Sequence, residues 1–125
     1  MVAFFGFGLF YSRGTHLSLA DYWRWFVVHI WVESIFEFFG IAVISLVLVC
    51  MGLATARAAL MVAYFTATIV FLSGGVLGTF HHLYWTGTPT GVLAVGAVFS
   101  ALEVVPLVLV GFEAYENYRH SRATP

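Results

Sequence analysis

From Ala58 through Leu102 the chain carries no Asp, Glu, Lys or Arg. A folded surface cannot be kept in water over such a stretch, but it suits two crossings of a bilayer core, each of about 20 residues. The rest of the chain agrees. Hydrophobic residues make up 62% of it and charged residues 9%, against about 25% charged in a soluble domain. The sequence therefore reads as an integral, all-α, multi-pass membrane protein with lipid as its surroundings. A net charge of -1 provides no basic footprint, which excludes nucleic acid as a partner. The single cysteine, Cys50, rules out an internal disulfide and a cysteine-based metal cage, and is read as a helix-packing residue.

The chain 1–125 reads as one transmembrane helical segment. Its start, "MVAFFGFGLFYSRG", has no basic region ahead of its apolar stretch and is not read as a signal peptide. Residues 1–11 are too short to cross a bilayer, so they read as a partial helix and the chain as a segment of something longer. Three full helices are predicted after it, at about 22–51, 58–85 and 90–115. Asp21 is the expected N-cap of the first, with Tyr22, Trp23 and Trp25 as an interfacial aromatic belt. "GLATAR" and "TGTPTG" supply the turns. "ENYRHSRATP" reads as a polar tail. Glu113 and Glu116 are read as interface residues at the last helix end, and Tyr84 and Trp85 as interface anchors. Arg57, Arg119 and Arg122 fall on one side and Arg13 and Arg24 on the other, which favours the first side as cytoplasmic.

Within the greasy stretch "VVHIWVESIFEFF", His29, Glu33 and Glu37 are spaced four apart, which puts them on one helix stripe. Counted from the expected helix start, His29 lies about 12 Å deep. The next helix returns, bringing His81 and His82 near the same surface. The third meets Glu103 about 20 Å in. Unpaired, such groups cost several kcal/mol each in hydrocarbon, and a bound divalent cation would offset that. Three imidazoles alone suit copper or zinc, whereas Glu33 adds a hard oxygen that shifts preference toward non-haem iron. A buried histidine can equally serve as a hydrogen-bond partner between helices, and Glu37 and Glu103 can be structural acids as readily as proton carriers. Gly74 and Gly78 form a G-x-x-x-G step, and the missing side chain at Gly78 could leave room for substrate or a flat cofactor. Pro106 interrupts the backbone ladder three residues after Glu103.

"VVHIWVESIFE", "GGVLGTFHHLYWTGTP" and "VFSALEVVPLVLVGFEAYEN" resemble the large catalytic subunit of bacterial nitric oxide reductases, within the haem–copper oxidase superfamily. The resemblance runs from about Tyr22 to Asn117, and the last stretch is closer to the quinol-dependent type than to the cytochrome-c-dependent type. It implies three full spans plus one partial span within a larger haem–copper-oxidase-like bundle in the bacterial inner membrane, packed against the remaining helices of the same enzyme. It implies that His29, His81, His82 and Glu33 are ligands of a non-haem iron, and that Glu37 and Glu103 are buried acids near that centre. The family couples this iron to a high-spin haem, and takes two NO, two electrons and two protons to N2O and water, with quinol as the implied donor.

Oxygen-reducing relatives typically carry H-P-E-V-Y on this helix. Here "HIWVE" has Ile30 for the proline and Glu33 for the tyrosine, which argues against an oxygen reductase. The family also needs histidines for its haem b groups. His16 and His120 lie in polar connections and match none of them, so this chain is not expected to ligate haem, and alone it is expected to be inactive. A small membrane metal transporter or metal-binding protein is the reading from another class. It would predict metal flux by the isolated chain and no haem partner. A di-iron carboxylate bundle would need repeated E-x-x-H, which is absent.

Overall fold

The computed structural model describes residues 2–123, and of 70–72 and 122–123 the backbone alone. Met1, Thr124 and Pro125 lie outside the described residues, as does the side chain of Arg122, one of the three arginines in the sidedness argument. All regular structure among the described residues is helical. Helix α1 is short, Val2–Phe5 continuing as a 3-10 turn, Gly6–Leu9. Helix α2 runs Leu17–Cys50. Helix α3 occupies 56–86 and changes form along its length. It is α-helical over Ala56–Thr68, a wider π-helix over Ile69–Gly74, α-helical over Gly75–Leu77 and a 3-10 helix over Gly78–Thr86. Helix α4 consists of Thr90–Ala101 and Val104–Ala123, separated by a break. Two helices, Leu17–Cys50 and Thr90–Ser121, are long and apolar enough to cross a membrane.

The ends of α2 and α4 differ from the sequence reading. Helix α2 starts at Leu17, not near Tyr22, because His16 caps it. The His16 Nδ1 accepts from the Ser18 amide at 3.3 Å. Asp21 is inside the helix and caps nothing. Helix α4 continues through the expected polar tail to Ala123. There Glu116 pairs with Arg119 at 3.9 Å and with His120 at 3.8 Å, the spacings at which helix neighbours support one another.

α2, α3 and α4 run antiparallel and are tied at both ends. At one end the Ser18 hydroxyl donates to the Thr86 carbonyl at 3.1 Å. Gly87, at φ 73°, takes the left-handed conformation that stops α3, and Gly52, at φ 71°, does the same after α2. At the other end Thr55 caps α3 through its hydroxyl. Both its amide and its hydroxyl donate to Glu113 Oε1 at 3.1 Å, and Asn117 donates to the Leu53 carbonyl at 2.9 Å. One face of α4 thus holds the α2–α3 turn, a more specific role than an interface position for Glu113. Between the ends, Ile41, Val62 and Val110 form a buried cluster, one residue from each helix.

The aromatic residues at the start of α2 face protein. Trp23 stacks on Phe7 of α1 at 5.5 Å and 14°, and Tyr22 donates to the Val76 carbonyl at 3.2 Å. They knit α1 and α3 to α2, which departs from the belt reading. Tyr84 and Trp85 are exposed and away from the polar groups. Cys50 is exposed and does not pack between helices. Large apolar side chains such as Phe36, Phe39, Leu46 and Phe112 cover the outside, a surface made for lipid or further helices rather than water.

The clamp at Thr55 can be tested directly. Glu113→Ala removes the acceptor of two hydrogen bonds, each worth about 1 kcal/mol. Hydrogen exchange at the Thr55 and Ala58 amides should rise about tenfold or more in that variant. Unchanged exchange would show that the clamp contributes nothing.

Candidate metal centre

α2 is not α-helical throughout. Immediately after His29 it widens into a π-helix over Ile30–Phe36, and this segment packs against the π segment of α3, Ile69–Gly74. Wide turns of this kind are frequent at functional sites. They set the rotation of the polar residues around them, and the 3-10 geometry of Gly78–Thr86 sets that of the histidine pair.

Four of the predicted residues come together. One ligand atom from each of His29, Glu33, His81 and His82 lies within 4.8 Å of the others, and among the described residues this is the one such group. Glu33 is at the centre. Its Oε2 lies 3.2 Å from His29 Nε2. Its Oε1 lies 3.4 Å from His82 Nε2 and 4.0 Å from His81 Nε2. The imidazoles meet one another at centroid distances of 5.4, 5.2 and 4.0 Å. His29 is 1% exposed. The Ser100 hydroxyl of α4 donates to Glu33 Oε2 at 3.0 Å and holds the carboxylate from the far side.

The donors are suited to a cation. Neither nitrogen of His29 makes a hydrogen bond, nor does Nε2 of His82 or Nδ1 of His81, although all are buried. An unsatisfied buried group costs about 1–3 kcal/mol. A divalent ion taking imidazole nitrogens and a carboxylate oxygen would satisfy several of them at once, and the donor chemistry fits iron, zinc or copper. These four residues could hold it.

Glu37 and Glu103 form a second group. Their side chains lie close enough to interact. Glu103 is 2% exposed and its Oε1 has no hydrogen-bond partner. It sits in the break of α4, between Ala101 and Val104. Pro106 explains that break. It has no N–H to give the Leu102 carbonyl, which accepts from Val105 at 3.1 Å instead.

Glycines admit these groups. A Cβ on Gly74 would collide with Glu103 Oε1, and one on Gly78 would stand 3.0 Å from the His29 ring. A Cβ on Gly96 would strike the His81 backbone nitrogen. The room at Gly78 is therefore taken by His29, not left for substrate or a flat cofactor, and that at Gly74 is taken by Glu103. Sequence reading misses Gly96, Ser100 and the role of Trp25. The indole of Trp25 stacks on His82 at 4.5 Å and 3°. Spacing is the available signal, since Trp25 stands four residues before His29 and Ser100 three before Glu103.

A helical bundle with a histidine–carboxylate cluster between antiparallel apolar helices has the form of a membrane metal site. The sequence pattern described as cytochrome c and quinol oxidase polypeptide I matches residues 1–122, and the chain belongs to that family. With its two apolar helices, this makes it a membrane protein. A nitric oxide reductase chain from Stutzerimonas stutzeri, one subunit of that enzyme, is 37% identical over 106 residues, 85% of this chain. The present chain spans 22% of that relative's length.

The steric role of the glycines is testable without ligand. Gly74→Ala should lower stability by about 1–3 kcal/mol, the usual cost of overpacking. Gly91→Ala, where a Cβ meets nothing within 4 Å, should be neutral or mildly stabilising. Thermal unfolding in detergent separates the two. Equal melting temperatures would refute the account.

Proposed function

We propose that this chain supplies the non-haem iron side of the catalytic centre of a nitric oxide reductase, which takes two NO, two electrons and two protons to N2O and water. The observation that carries the reading is the cluster of three imidazoles and one carboxylate at Glu33. The identity with the Stutzerimonas stutzeri nitric oxide reductase supports the substrate. In this reading His29, His81, His82 and Glu33 hold the iron. Bound iron supplies one-electron redox capacity and a Lewis acid beside a haem. Haem b groups take their ligands from other helices of the enzyme. Of the remaining histidines here, His16 caps α2 and His120 pairs with Glu116.

Protons must reach a site enclosed by apolar helices. Glu37 and Glu103 are the relay in this reading. Two carboxyl groups within reach of one another can pass a proton between them, and their position beside the cluster makes it available there. The break at Pro106 opens the backbone beside Glu103. The electron donor is quinol, on the wording of "EVVPLVLVGFEAYEN". The chain crosses the bacterial inner membrane three times, with α1 as a partial span and the Arg57 side cytoplasmic, and its chemistry belongs to denitrification. Oxygen reduction, which the family also covers by name, is the weaker reading, because Glu33 stands where oxygen-reducing relatives carry tyrosine.

Two substitutions in the complete enzyme test this. His81→Ala should reduce non-haem iron to background by metal analysis while haem absorbance is kept. Normal iron content would overturn the assignment. Glu103→Gln should slow NO turnover about tenfold or more, a modest loss for a proton-transfer group, with iron and haem unchanged. Turnover at the unaltered rate would remove Glu103 from the relay.

A further inference from the structure

We propose that Trp25 is a positioning residue of the metal centre and that its indole sets the orientation of the His82 ring. The inference rests on reading the four-residue cluster as an iron site.

The three imidazoles are held differently. His29 is enclosed, 1% exposed. His81 is partly exposed, with 28% of its side chain accessible. His82 presents its face to Trp25, with ring centroids 4.5 Å apart and planes within 3°. A ligating histidine is ordinarily oriented by a hydrogen bond from its second ring nitrogen. Here a parallel aromatic face does that work. It is needed because the backbone beneath His82 is a 3-10 turn that kinks at the next residue, Leu83, at φ -86° and ψ 23°.

Trp25 also extends the polar stripe of α2 by one step. Trp25, His29, Glu33 and Glu37 follow one another at intervals of four. Two members of this stripe touch His82: the indole lies on its face, and Glu33 Oε1 lies 3.4 Å from its Nε2. Together they fix the plane of the ring and the direction of its donor nitrogen. The indole also covers one face of a side chain that is still 20% exposed.

The test uses the complete membrane-purified enzyme with Trp25→Leu, Trp25→Met and Trp25→Phe. Iron retention is measured against a competing chelator, and the visible ligand-field bands are recorded after replacing iron with cobalt(II). Helix content and haem absorbance report folding. Leu and Met should each weaken iron retention about tenfold, as loss of a group that orients a ligand does, and should shift the cobalt bands. Phe, which keeps a ring against His82, should stay within about threefold of the unaltered enzyme and restore the bands. Folded Leu or Met variants with unaltered retention and bands would overturn the role of Trp25 alone. So would equal loss in all three variants. Failure of the unaltered enzyme to retain iron or cobalt would overturn the metal site and this inference with it.

Discussion

One carboxylate organises this molecule. Glu33 lies within 4.0 Å of nitrogens from three imidazoles and accepts the Ser100 hydroxyl, so it joins α2, α3 and α4 at a single point. In an apolar bundle the attraction between such groups is little screened, and the cost of leaving any one of them alone is correspondingly high. The helices therefore cannot slide or rotate past one another at this level without stranding a polar group. The apolar contacts around Ile41, Val62 and Val110 are interchangeable by comparison.

Close approach is what makes that point possible, and it comes from missing atoms. Gly78 lets His29 lie against α3, Gly96 lets α4 press on the backbone of His81, and Gly74 gives Glu103 its seat. Pro106 acts in the opposite sense. It removes a backbone donor and opens α4 where Glu103 turns inward. Packing and polar chemistry are thus specified by the same few positions, as expected where lipid offers no hydrophobic force to drive helices together.

Much of this can be read in the sequence. The uncharged stretch from Ala58 to Leu102 defines the helices, because hydrocarbon tolerates little else. The spacing of His29, Glu33 and Glu37 and the adjacency of His81 and His82 need only antiparallel helices to converge, and the short turns at 51–55 and 87–89 enforce that. Other features depend on how each helix is rotated, which no residue spacing reveals. The π turns at Ile30–Phe36 and Ile69–Gly74 and the 3-10 turn at Gly78–Thr86 set that rotation. Hence Trp25, which reads as a belt residue, faces His82, and Tyr22 and Trp23 face protein. The start of α2 lies earlier than Asp21 suggests. Aspartate is in general a better cap than histidine, whereas His16 lies at the point where the chain actually turns.

The wide turn after His29 has a consequence for how this chain can vary. A π segment accommodates one residue more than an α-helix of the same rise. Deleting one residue from 30–36 would let α2 relax into regular form, at no loss of backbone pairing and with the helix on either side close to its present rotation. His29 and Glu37 would keep their neighbours, but the side chains between them, Glu33 included, would turn to new faces. Length in this stretch is consequently as tightly constrained as identity, and a homologue shortened here would have to build its polar centre in another way.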